Sequence, residues 1–491
     1  MMRRSTALSA SPSSRSRTRW PPPGRQGPPR PLPRAKRRLR RSCGRCPATS
    51  RSGSGSPRPS VATGSSSDPR RPSMPGEAVT VGDVAEGAPD RPRVQVKFAD
   101  VGDLYVTWRW EHARERPRAY AIPRAAVQPA LDRLHESLPS PLPGESIVAA
   151  LDRAFRGALA DPDRERRLSA ELAGALLPAP LAAELNAMLA RGRRPHLRIQ
   201  GSPSLGRVPW EALIVDADRR MVHEAEVSLL VPAGVRNAPS RRVSRWDPRG
   251  PVVAVLDPPV PGGMLAPVLG PAGAGARLGP LQERLGSRAR GAEPLLGGAI
   301  DRVRLRTLLA DASRLLYVGH VSSSDHGLDV RMHLSDDAAQ PGRAALLGAH
   351  RPLAAADIAY GAPGADTEGG WLIPARVALM ACESGGDSGF AEPTALVAAL
   401  VRGGAEHVAA ARWTLPTDAG FARAAGADAP AFSAAVDAVD AAQESTDPVA
   451  ALNAWQRTCA ETWARTGAVE HSPLMWAAIS TTWSPPPRQD P

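Results

Sequence analysis

A histidine and a cysteine close two apolar runs in this chain, Leu315-Leu316-Tyr317-Val318-Gly319-His320 and Val377-Ala378-Leu379-Met380-Ala381-Cys382. Short apolar runs bounded by polar or glycine residues read as buried strands of a parallel sheet, and sites collect at the carboxyl ends of such strands. If the two strands are neighbours, imidazole and thiol emerge at one sheet edge. A cysteine near its ordinary pKa of about 8.5 is only a few per cent thiolate at neutral pH, so a nucleophilic role needs a base beside it. Imidazole is the usual base. On spacing alone such a cysteine is more often a small buried hydrophobe, but the flanks favour chemistry. Glu383-Ser384-Gly385-Gly386-Asp387 follows the cysteine, and Val321-Ser322-Ser323-Ser324-Asp325-His326-Gly327 follows the histidine. Both are polar, small-residue loops that cannot continue a buried strand. Ser384 and His326 are the rival nucleophile and base. Asp325 and Asp387 either receive a basic substrate side chain or cap their loops.

The run ending in Gly-His, followed by a run ending in Ala-Cys-Glu-Ser-Gly-Gly, resembles the CHAT family, a branch of the caspase-like cysteine peptidases related to separase. Other landmarks agree in order. Upstream, Leu197-Arg198-Ile199 leads to Leu205-Gly206-Arg207-Val208-Pro209-Trp210-Glu211-Ala212-Leu213; downstream come Ala395–Leu400, Gly403-Gly404-Ala405 and Ala411-Arg412-Trp413, then His471-Ser472-Pro473-Leu474-Met475-Trp476-Ala477-Ala478. The likeness spans roughly residues 165 to 483. It implies a cysteine endopeptidase acting on a protein or peptide substrate, with Cys382 as nucleophile and His320 as base. It also implies oxyanion donors in the backbone N–H groups of Cys382 and Val321, no metal or organic cofactor, and a regulatory protein partner. One departure stands out: the family has glycine after the histidine where this chain has Val321, which keeps an N–H but disfavours positive φ. A catalytically silent scaffold of the same fold is the alternative that this departure raises. No 34-residue self-similarity marks the tetratricopeptide repeats to which the family is commonly joined.

The elements that must position these groups follow from the pattern around them. Val252–Leu256, 315–319, 377–381 and 406–411 read as strands; 279–286, 299–310 and 392–402 read as helices. The alternation over 251–412 predicts an α/β fold, a mostly parallel sheet flanked by helices; the resemblance implies that this belongs to a caspase-like peptidase domain over residues 165–485. Gly327–Leu334 suggests a hairpin excursion. From 419 the alanine-rich sequence reads helical to about 466, broken near Pro430 and Pro448. Ahead of it, residues 89–164 read as a small α+β region. Val94, Val96 and Phe98 alternate, as do Val106, Trp108 and Trp110, with a Gly102-Asp103 turn between them. Helical spacing follows over 124–138, 145–160 and 164–176.

Composition bounds the rest. At 491 residues and 42% hydrophobic content the chain can bury a core, and its net charge is +13. That charge is local: residues 1–73 hold 18 Lys and Arg against one acidic residue, a net of +17, which leaves −4 for the remainder. Rich in Arg, Pro, Ser and Gly, residues 1–88 are expected to be a disordered basic tail, because they bury too little apolar surface to offset ordering entropy. Such an arm would hold nucleic acid only non-specifically and with strong salt dependence. Cys43 and Cys46 lack further ligands at zinc spacing, and four cysteines make no disulfide framework. The expectation is a cytoplasmic protein with no membrane span and no metal.

Overall fold

The computed structural model describes residues 89–263, 265–270, 277–322, 330–363, 369–381, 395–426 and 429–486. The basic tail lies outside the described residues. In chain order the strands are β1 (Arg93–Val101), β2 (Asp103–Trp110), β3 (Arg118–Ile122), β4 (His196–Gln200), β5 (Ile214–Asp216), β6 (Arg219–Arg220), β7 (Glu226–Leu229) and β8 (Val252–Leu256). They continue as β9 (Ala289–Leu296), β10 (Arg314–Gly319), β11 (Val321–Ser322), β12 (Arg331–Met332), β13 (Leu353–Ala354), β14 (Arg376–Ala381), β15 (His407–Ala411) and β16 (Ile479–Trp483). Eleven of them form one sheet in the order β3-β2-β1-β4-β7-β16-β15-β14-β10-β8-β9.

Direction divides that sheet into two blocks. β1, β4, β7 and β16 run parallel to one another, as do β15, β14, β10, β8 and β9. The blocks meet at the antiparallel pair β15–β16, so their carboxyl ends point to opposite edges of the sheet. The α/β class expected from the sequence is what the chain adopts, a mostly parallel sheet flanked by helices.

Burial shows why each block forms. The central strands of the second block are buried on both faces, and alternate residues feed two cores, as a pleated strand with side chains of period two requires. Val252, Ala254, Leu256, Leu316, Val318, Ala378 and Met380 enter one core. Val253, Val255, Leu315, Tyr317, Val377 and Leu379 enter the other, under the helices Arg302–Ala310, Ala355–Tyr360 and Ala395–Gly403. The first block contributes to the first core alone, through Val94, Val96, Phe98, Leu197, Ile199 and Val227. Its opposite face carries Arg93, Gln95, Lys97, Thr107, Arg109, His196 and Arg198, polar side chains set by the same alternation.

The hairpin β1–β2 turns at Gly102, whose φ of 77° favours glycine. β1 then pairs in parallel with β4, so residues 89–164 extend the sheet of the rest of the chain. The helices Arg124–Ser137, Ile147–Phe155 and Pro162–Leu176 fall where the spacing predicts them. The alanine-rich stretch breaks into Asp418–Ala425, Ala431–Glu444 and Pro448–Thr466; the side chains of Thr417 and Asp447 cap the first and third, and the second starts directly after Pro430. Among the described residues, no single helix is long and apolar enough to cross a membrane.

Candidate active site

The site begins with the register of β10 on β14. The pair is parallel, Arg314 faces Arg376, and the last pairing is Gly319 with Ala381. His320 and Cys382 are therefore each the next residue after directly opposed positions on neighbouring strands. Cys382 itself lies outside the described residues, as do Ser384, Asp387, Asp325 and His326.

His320 is partly buried, and its Nε2 lies 2.7 Å from the carbonyl oxygen of Ala266. A carbonyl only accepts, so Nε2 carries the hydrogen and Nδ1 is left as the nitrogen that can take a proton. Ala266 is held by a residue the sequence reading did not single out. Asp257 follows β8, the other neighbour of β10, and its carboxylate accepts from the backbone N–H groups of Val268 at 2.9 Å and Leu269 at 2.6 Å. Its φ of 54° is one of two positive values among non-glycine residues described, a strained conformation that turns the carboxylate onto this loop. Burial pushes the Asp257 carboxyl above its usual range, while those two N–H groups and the nearby His320 pull it back in part. The chemical result is a chain from Asp257 through the 266–269 loop to the imidazole. The available signal was a third strand of the same type, Val252–Leu256, ending on an acid at the same edge.

The backbone of His320 is also fixed. The Tyr317 hydroxyl lies 2.8 Å from the carbonyl oxygens of both His320 and His333, and the His333 N–H donates to the His320 carbonyl at 3.0 Å. The close passage of Tyr317 explains Gly319: a Cβ there would sit 2.8 Å from the Tyr317 hydroxyl. Beyond His320, β11 pairs antiparallel with β12, Val321 opposite Met332, and β12 pairs with β13. Val321 has no positive φ and is 6% exposed, so an extended, buried strand residue suits this position. The expected excursion over 327–334 is described only from residue 330, within which β12 forms.

A buried imidazole pair braces this small sheet. His350 Nδ1 lies 2.6 Å from the Asp336 carbonyl, His333 Nδ1 lies 3.2 Å from His350 Nε2, and Ser322 Oγ lies 2.9 Å from His333 Nε2. With both rings neutral the terminal carbonyl sets the directions: His350 donates to it, His333 donates to His350, and Ser322 donates to His333. Burial first, then the charges of His350 and His320, push the His333 pKa down to about 3, so the ring is neutral near pH 7.

The other edge strand of the site, β15, gathers the remaining sequence landmarks. Arg412, 1% exposed, donates to Glu211 at 2.8 Å and to the Ala477 carbonyl at 2.8 Å, and Trp413 Nε1 donates to the Leu474 carbonyl at 3.0 Å. Three motifs distant in sequence thus converge on one buried ion pair beside β14. Among the described residues no cluster of His, Cys, Asp and Glu is arranged to hold a metal ion.

The CHAT domain family model matches residues 166–483. No curated protein matches the sequence. Two crystal structures of the Saccharomyces cerevisiae separase–securin complex are similar to the chain, with TM-scores of 0.42 and identities of 11% and 12%. The alignments cover 82% of this chain but only 30% and 31% of the matched chains.

Proposed function

Because the chain belongs to the CHAT domain family, we propose that it is a caspase-like cysteine endopeptidase acting on a protein or peptide substrate through Cys382 and His320. The observation that carries this reading is the β10–β14 register, in which the two residues follow the opposed pair Gly319 and Ala381. Adjacent parallel strands are 4.7–4.9 Å apart, about the reach needed for a thiol and an imidazole leaving them to meet.

In this mechanism His320 Nδ1 removes the Cys382 proton, since the bond from Nε2 to Ala266 leaves that nitrogen basic. The thiolate attacks the scissile carbonyl, and the developing oxyanion accepts from the N–H groups of Cys382 and Val321. Such donors are worth roughly 10²- to 10³-fold each where one has been removed. The imidazolium then gives its proton to the leaving amine. Water, deprotonated by the same imidazole, hydrolyses the thioester and restores the thiol. Asp325 and Asp387 are the candidate receivers of a basic substrate side chain, and a regulatory protein partner would control access to them.

The test is labelling of the purified protein by a thiol-reactive peptide probe, followed by a peptide-library cleavage profile with the products of neighbouring genes present. Burial pushes the Cys459 thiol up to about 12, so it should stay unlabelled; Cys43→Ser and Cys46→Ser remove the tail thiols from the readout. Labelling and cleavage that both vanish in Cys382→Ala support the assignment. Cleavage that survives Cys382→Ala, or that requires His326 and not His320, overturns it.

A further inference from the structure

The open face of the first block holds a cavity of about 460 Å³, within the size range of small-molecule sites. Five arginines line it, Arg93, Arg109, Arg114, Arg198 and Arg236, against a single carboxylate, Glu111. That carboxylate is already committed: it accepts from Arg198 at 2.8 Å and lies 3.9 Å from Arg93. Arg198 and Arg93 also sit against the Trp483 ring, 4.3 and 5.0 Å from its centre, so these two guanidinium planes are held in place.

Arg236 is different. It ends the short helix Ala233–Arg236, is half-buried, and has no carboxylate partner among the described residues. Burial, and then the like charge of Arg109, lower its pKa, with only a partial offset from Glu111. Arg109 has a single weak side-chain bond in the cavity, to Gln95 at 3.5 Å. Folding thus brings together two cations that repel each other and that, among the described residues, have no carboxylate in direct contact. Such an arrangement stores affinity for an anion.

We infer that this cavity binds a compact phosphate-bearing small molecule, whose phosphoryl oxygens are received by Arg109 and Arg236 with Arg93, Arg114 and Arg198 completing the ring of charge. The cavity's surplus of four positive charges in so small a volume suits phosphates, which carry up to two charges each, better than carboxylates spread along a peptide. The site lies on the block that does not carry His320, and it stands whether or not the peptidase reading does.

Isothermal titration of the full chain with inorganic tripolyphosphate in 0.15 M salt tests the proposal. One saturable site is expected, weakened at least 30-fold in the double variant Arg109→Gln/Arg236→Gln, since each charge-assisted contact is worth roughly tenfold or more. The thermal midpoint of that variant should equal or exceed the parent's, because a repulsion has been removed; Arg236→Lys, which keeps the charge, should retain part of the affinity. Binding that persists undiminished in the double variant belongs to the basic tail and overturns the proposal. So does the absence of saturable binding at millimolar tripolyphosphate, or equal competition by an oligo-glutamate peptide, which would make the occupant an acidic protein segment.

Discussion

The two blocks of the sheet are built alike and furnished oppositely. Around β10 the groups that hold His320 are a backbone carbonyl, that of Ala266, and the Tyr317 hydroxyl, with an imidazole pair that ends on the Asp336 carbonyl behind them. On β1, β2 and β4 the corresponding open face is lined with guanidinium groups. A thiol–imidazole pair needs a base near neutrality and tolerates little extra charge, whereas an anion site needs charge and little else. The difference follows from what covers each block. Helices close both faces of the second, so its polar atoms must be paired internally; the first has an open cavity on one face, where water reaches Arg109 and Arg114 while Arg198 and His196 stay buried.

The sharpest way to break this contrast is to remove the chemistry from one side. Cys382→Ala should abolish cleavage, and His320→Ala should lower it by the roughly 10²- to 10⁴-fold of a lost general base. His326→Ala should change it by less than about threefold. All three should leave the anion titration of the first block unmoved, and a variant that alters both readouts would show that the blocks are not independent. Next in size is Asp257→Ala. Losing the two N–H bonds to Val268 and Leu269 frees the loop that delivers Ala266, and misplacement of a catalytic group by about 1 Å costs on the order of 10²-fold. Cleavage should therefore fall about 10- to 100-fold. Alkylation of Cys382 should slow at pH 7 yet match the parent above pH 9, where the thiol ionises without help. An equal loss at both pH values would make Asp257 a purely structural residue.

Much of the second block could be read from the sequence because its strands are short, apolar on both faces and separated by helices, a local pattern that survives without knowledge of partners. The placement of His320 and of the residue preceding Cys382 followed from that. What could not be read depends on contacts distant in sequence. β9 escaped notice because Ala289-Arg290-Gly291-Ala292-Glu293-Pro294 lacks an apolar run; its proline is tolerated because the strand lies at the sheet edge. Nothing local tells β1 that it will lie beside β4, about a hundred residues on. Asp257 likewise gains its role only when a loop eleven residues later folds onto it, and His333 only when His350 arrives.

Acid should expose a second contrast, between groups buried neutral and groups left in water. His196, His333 and His407 are each pushed down to about 3, chiefly by burial, from an unfolded value near 6.5. The unfolded chain therefore binds more protons between those values. The stability these rings contribute is complete above about pH 6.5 and is lost as pH falls towards 3. Each ring steepens the slope by up to about 1.4 kcal/mol per pH unit in that window. His333→Gln, which can still accept from Ser322 and donate to His350, should make the profile of urea unfolding shallower by about one ring's share. An unchanged slope between pH 4.5 and 6.5 would mean that His333 is protonated in the folded protein.

The smallest expected effect sits next to the candidate base, at Val321. Were a glycine required here for a left-handed backbone, Val321 would be strained and Val321→Gly would release activity. The structure instead has Val321 extended in β11, opposite Met332, with its side chain buried in the second core. Glycine at this position would lose the buried isopropyl group and add backbone entropy to the unfolded chain, a cost of about 2–3 kcal/mol. The N–H that faces the oxyanion in the proposed mechanism would remain, so cleavage measured well below the thermal midpoint should change by less than about threefold. An increase above tenfold in Val321→Gly would mark the valine as the device that silences this site, and would favour the scaffold over the enzyme.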